Sequence, residues 1–89
     1  MATKSQHASD YQPLPSFLRS LREAAGLTQR DLGKRLRKPQ SWVYNCETAN
    51  RRVDLVEFIE WARCCEVDPV KAFRRFLASG EEAGKDLTG

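Results

Sequence analysis

The chain has 89 residues, 40% of them apolar and 30% charged, which allows one small domain at the usual ~100 to 200 residues per domain. No stretch approaches the roughly 20 uninterrupted apolar residues of a spanning helix, and the opening MATKSQHASD lacks the apolar segment of a signal peptide, so a cytoplasmic protein with no membrane partner is expected. The formal net charge of +3 is unevenly spread: Phe17 to Arg52 carries nine basic and three acidic residues, a net of +6, whereas Val53 to Gly89 carries −3. That split suits a protein with one face toward a polyanion and the other toward solvent or a second subunit.

The first residues are polar and unpatterned, and the last, ASGEEAGKDLTG, are Gly-rich with no apolar period. Residues 1–12 and 79–89 are therefore expected to be flexible tails around a folded domain spanning 13–78. Leu14, Phe17, Leu18, Leu21 and Ala25 recur at helical spacing, with Pro15 near the start and Gly26 placed as a left-handed stop, which predicts a first helix. Thr28 and Asp31 have the spacing of a capping box, and Leu32, Gly33 and Leu36 mark the buried stripe of a second helix. Arg37 and Lys38 form a tight turn, and Pro39 suits the first turn of a third helix that reaches Glu47, because its missing N–H would have had no intrahelical partner.

Thr48 to Arg52 reads as a loop. Asp54 with Glu57 is a second cap-like pair, opening a fourth helix with Leu55, Phe58, Ile59, Ala62 and Cys65 on one face. Asp68 and Pro69 begin a fifth, with Val70, Phe73, Phe76 and Leu77 helically spaced. No run alternates with period two and no Asn-Gly or Asp-Gly hairpin signal occurs, so the expected class is all-α, with five helices.

Only about three residues join the second and third helices, which forces a steep crossing and leaves the third at the surface, the shape of a helix-turn-helix. Val43 and Cys46 are three apart and face inward, so the opposite side presents Gln40, Ser41, Tyr44, Asn45 and Thr48. This uncharged, hydrogen-bonding face suits reading base edges in double-stranded DNA, where Gln and Asn pair with adenine, while surrounding cations such as Arg30 and Lys38 hold phosphates. Trp42 flanks the face and packs either on the sugar-phosphate backbone or on the second helix. Arg51 and Arg52 clamp phosphates or pair with Glu57.

The segment LREAAGLTQRDLGKRLRKPQSWVYNCETANRRVDLVEFIEWARCCEVDP resembles the XRE family of helix-turn-helix regulators, the group of the lambda-type phage repressors and Cro proteins. The resemblance covers roughly Leu14 to Leu77 and rests on Leu21 with Arg22, GLTQ at Gly26 to Gln29, PQSWV at Pro39 to Val43, Glu47, and RRVDLVEF at Arg51 to Phe58. It implies a five-helix lambda-repressor-like domain that binds DNA as a homodimer gripping two half-sites. It also implies that Gln29 binds a phosphate and braces Gln40, that Ser41, Tyr44 and Asn45 fill the other readout positions, and that Arg22 and Glu47 form a structural ion pair. The chain departs from the family at four places: Arg37 stands where Gly is usual, Gly33 where Ala is usual, Ala49 where Gly is usual, and Tyr44 where a small residue is common.

Val53, Trp61, Phe73 and Phe76 are the expected dimer contacts, with packing in the core the other reading of Trp61. Cys46, Cys64 and Cys65 are an odd count with two adjacent, which reads as reduced core thiols rather than a disulfide framework or a zinc site. The only His, His7, lies in the N-terminal tail, and no phosphate-cradling glycine loop or metalloprotease motif is present. No enzyme, cofactor or metal is therefore expected. A transcriptional regulator, most simply a repressor on a palindromic operator, is the leading expectation; an antitoxin or adaptor that uses the same fold to bind a protein partner is the alternative.

Overall fold

The computed structural model describes residues 13–88 and contains, among those residues, five α-helices and no strand: α1 Pro13–Ala24, α2 Gln29–Leu36, α3 Gln40–Glu47, α4 Leu55–Cys64 and α5 Pro69–Thr88. The tail expected at 1–12 lies outside the described residues. α5 continues to Thr88, past the end expected near Leu77, so 79–88 is helical. The Ala, Glu, Lys and Leu of that stretch favour helix, and they outweigh its two interior glycines, Gly80 and Gly84.

Three helix starts have a side-chain cap. Thr28 and Asp31 form a reciprocal capping box at α2, and Asp54 and Glu57 form another at α4. The Asp68 carboxylate accepts from the Val70 N–H at α5, at 2.9 Å. Pro39 is the N-cap of α3 rather than its first residue, with extended backbone, so α3 begins one position later than expected.

The ends share a device. After α1 the N–H of Gly26 donates to the Glu23 carbonyl and that of Leu27 to the Arg22 carbonyl, the paired bonds of a Schellman motif around a left-handed residue, Gly26 at φ 74°. The same pairs close α2 around Arg37 at φ 59° and α4 around Glu66 at φ 61°. Ala49, at φ 66°, follows α3. Three of these four left-handed positions are thus occupied by residues with a Cβ, at a cost of roughly 1–2 kcal/mol each relative to a conformation they prefer.

Gly33 answers to the same turn. The Lys38 N–H donates to the Gly33 carbonyl at 2.8 Å, and a Cβ at Gly33 would lie 2.7 Å from the Lys38 carbonyl oxygen. The chain leaving the Arg37 turn runs directly over the α2 backbone, so the glycine displaced from the turn is needed inside the helix instead.

The core joins all five helices: Leu18 and Leu21 of α1, Leu32 of α2, Val43 and Cys46 of α3, Phe58, Trp61 and Ala62 of α4, Cys65 after it, and Ala72 of α5. Trp61 is fully buried, and its indole N–H donates to the Leu18 carbonyl at 3.0 Å. This corrects its assignment as a dimer contact, because a side chain with no surface in one subunit cannot meet another. Burying these side chains, at roughly 1.5–3 kcal/mol for each large one, is what holds the helix pair α2–α3 in place.

Candidate nucleic-acid interface

α2 and α3 meet across the turn at 37–39, and α3 stands against the core on Val43 and Cys46, both fully buried, with Trp42 and the Glu47 carboxylate beside them. The opposite face of α3 is thereby turned outward. Gln40, Ser41 and Tyr44 are exposed, and Asn45 is half-buried. The Asn45 backbone carbonyl accepts from the N–H groups of Asn50 and Arg51, which folds the following loop back over the end of the helix.

A continuous hydrogen-bond relay runs from the core to this face. Arg22 donates from Nε and Nη2 to the two carboxylate oxygens of Glu47, at 2.6 and 3.0 Å, and from Nη1 to the Leu27 carbonyl at 2.8 Å. Both partners are shielded: the Arg22 side chain is 10% exposed and that of Glu47 2%. The hydrogen bond to Glu47 raises the Arg22 pKa, so the guanidinium stays charged. Glu47 Oε1 also accepts from Gln29 Nε2 at 3.0 Å, and Gln29 Oε1 accepts from Gln40 Nε2 at 3.0 Å. Because a carboxylate can only accept, the amide orientation of Gln29 is fixed, and it in turn fixes that of Gln40. The Gln40 amide therefore presents one remaining N–H and its oxygen to the outside.

Cations frame the same surface. Arg30, Lys38 and Arg52 are exposed. Trp42 is half-buried, its ring 6.3 Å from that of Trp61, with Lys38 Nζ 5.4 Å and the Arg51 guanidinium 4.8 Å from the Trp42 centroid. Of the two sequence readings of Trp42, the structure shows an inward contact, to α4 through Trp61. Arg51 takes Glu57 as its partner, donating from Nη1 and Nη2 to both carboxylate oxygens at 2.9 Å. These hydrogen bonds hold the Glu57 carboxyl below its ordinary value.

The other sequence-predicted residues lie elsewhere. Val53 and Phe76 are half-buried and Phe73 is exposed, and all three line an apolar groove with Leu14, Leu55 and Phe58. The sequence pattern missed how much of this side is uncovered: Leu55, Val56 and Val70 are 66%, 63% and 60% exposed. Val56 and Val70 each fall two positions before a residue that packs inward, Phe58 and Ala72, and so on another side of their helix, and that offset was the available signal. The three thiols are free; burial pushes those of Cys46 and Cys65 up to about 11. No group of three or more possible metal-ligating side chains occurs among the described residues, and none of their helices is long and apolar enough to cross a membrane.

The arrangement of a helix pair joined by a short turn, with an uncharged outer face and a cationic rim, has counterparts among known proteins. Residues 14–72 match a family model described as a helix-turn-helix domain. A solved structure described as an XRE-family like protein from Pseudomonas syringae pv. tomato str. DC3000 aligns with 88% of this chain and 95% of its own, at 41% sequence identity and a TM-score of 0.77. No curated protein matches. The chain belongs to the XRE family of helix-turn-helix regulators, and its class is that of a DNA-binding regulator.

Proposed function

We propose that the protein is a cytoplasmic repressor that binds a palindromic operator in double-stranded DNA as a homodimer, and that it needs no catalysis or cofactor to do so. The observation that carries this reading is the relay Arg22–Glu47–Gln29–Gln40. It holds one side chain of the outer face in a fixed orientation with a donor and an acceptor free, the pattern that pairs with the N7 and N6 edge of adenine in the major groove. In this reading Gln40, Ser41, Tyr44 and Asn45 meet base edges, while Gln29, Arg30, Lys38, Trp42 and Arg52 meet the sugar-phosphate backbone. A single eight-residue recognition helix spans only a few base pairs, so a second subunit repeating the contacts about 34 Å along the duplex supplies the rest of the operator.

The uncovered apolar side of α4 and α5 is the surface assigned to that pairing. Phe73, with Val53 and Phe76 in the groove beside it, remains a contact, and Leu55, Val56 and Val70 take the place of the buried Trp61. This puts the dimer surface on the less basic part of the chain, leaving α3 clear.

Selection from a random duplex library tests the whole reading. Enrichment of an inverted repeat, bound with a steep loss of affinity in salt of roughly 0.9 log units per log unit of salt for each phosphate contacted, is expected. Enrichment of a site without symmetry removes the homodimer, and no enrichment removes sequence-specific recognition.

A further inference from the structure

We propose that Arg51 and Glu57 are a positioning pair that fixes the recognition helix relative to α4, and that Arg51 is not a phosphate ligand. The inference rests on the DNA-binding reading above. Arg51 sits in the loop between α3 and α4, where its donors are directed into the protein: Nη1 to the Arg52 carbonyl at 2.7 Å and to Glu57 Oε1 at 2.9 Å, and Nη2 to Glu57 Oε2 at 2.9 Å. Its guanidinium carbon lies over the ring of Trp42, which belongs to α3, 4.8 Å from the centroid. Glu57 belongs to the first turn of α4, and its Oε1 also accepts from the Asp54 N–H at 3.0 Å. One guanidinium thus lies over an aromatic ring of the recognition helix while its N–H groups hold the start of α4.

A cation engaged in this way keeps the same neighbours with or without DNA, whereas a phosphate would have to compete with a bidentate carboxylate for it. The groups facing the pair are Lys38, which also lies against Trp42, the Cys46 thiol of α3, and Asp54 of α4. Tilting α3 would separate Trp42 from Arg51, so the bidentate bond and the stack together resist that motion. The surface to which α4 contributes Leu55 and Val56 is in this way tied to the surface that reads DNA.

The test exploits a sign. Glu57 is negative, so Glu57→Gln makes the protein more positive, and by charge alone it tightens binding to any duplex. As a positioning residue it does the opposite on a selected site. The experiment measures full-chain Glu57→Gln, Arg51→Ala and Arg51→Lys on a duplex enriched from a random library and on a random duplex, over a salt series, with circular dichroism confirming that each variant is folded. Expected are about tenfold weaker binding of the enriched duplex for all three, unchanged or tighter binding of the random duplex by Glu57→Gln, and an unchanged salt slope for Arg51→Ala. Arg51→Lys keeps the charge but not the bidentate geometry or the stack, so it must lose as much as Arg51→Ala; retention of wild-type affinity overturns the proposal. So does a fall of about 0.9 in the salt slope of Arg51→Ala, which marks a lost phosphate contact, or tighter binding of the enriched duplex by Glu57→Gln. If the wild-type chain itself enriches no site, the DNA-reading proposal has failed before any variant is measured.

Discussion

Around α2 and α3 the polar side chains are tied to one another, whereas across α4 and α5 apolar side chains are left in solvent. Gln40 is held through Gln29 and Glu47 to Arg22 in the core, while Leu55, Val56 and Val70 are each more than half exposed. Both conditions are costly to keep: an ordered polar chain gives up side-chain entropy, and an uncovered apolar patch forgoes the ~25 cal/mol per Å² that burial would return. The contrast teaches that the first region is complete within one subunit, while the second leaves apolar surface uncovered, which the proposed dimer would bury. Variants that disorder one side without touching the other sharpen this division.

The largest effect belongs to Arg22→Ala. It strands the nearly inaccessible Glu47 carboxylate without its counter-charge, which typically costs about 3–5 kcal/mol. In a domain of this size thermal unfolding should begin roughly 10 °C or more below wild type. An unchanged melting temperature removes the relay's anchor from the account.

Next comes Gln40→Ala, which takes only the outermost link. It should weaken the enriched duplex by about 1–3 kcal/mol and relax preference at one base pair, with little change on random duplex or in melting temperature. Equal losses on both duplexes would make Gln40 a backbone contact.

On the other side, Val56→Glu with Val70→Glu places charge on the uncovered surface, away from the core. Sedimentation should then show a single subunit in solution, with binding of a palindromic site weaker by about 1.4 kcal/mol or more. A dimer that survives this double change lies elsewhere on the molecule.

Smaller again is Arg37→Gly. It relieves the left-handed strain at φ 59° but loosens the unfolded chain, for a net gain of about 1 kcal/mol and a melting temperature a few degrees higher. The reverse experiment, Gly33→Ala, should destabilise, because its Cβ meets the Lys38 carbonyl.

Acid titration is expected to show the least. The Arg51 hydrogen bonds hold the Glu57 carboxyl below its ordinary 4.5, so its contribution is present above that pH and is lost as pH falls through the folded-state value. Unfolding curves of Glu57→Gln should accordingly change less than those of wild type as the pH drops below about 4.5.

Much of this was legible in the sequence because it is local. Capping pairs such as Thr28 with Asp31 declare themselves by spacing, and so do the inward Val43 and Cys46 that leave the opposite face of α3 outside. What the sequence hides depends on groups far apart in the chain. Trp61 falls on an apolar helix face whether it packs inward or against a second subunit, and only the Leu18 carbonyl, which receives its N–H, decides. Arg51 has two chemically reasonable partners, and the choice follows from how closely the loop after α3 returns to α4. The extension of α5 to Thr88 escaped for a different reason. Its last turns carry no apolar stripe, so helix propensity is the sole signal there.

Finally, the sealed thiols give the fold a built-in clock. Cys46 and Cys65 have essentially no surface, and burial pushes each up to about 11, so at neutral pH an alkylating reagent meets almost no thiolate and no path to the sulfur. They react when the helices around them part. After Cys64, the partly exposed one, is changed to Ser, the rate of modification should measure how often the core opens, Cys46 reporting on the seating of α3 and Cys65 on the junction beyond α4. Duplex DNA that stabilises the closed form should slow the Cys46 reaction, a chemical readout of occupancy that needs no label on the nucleic acid.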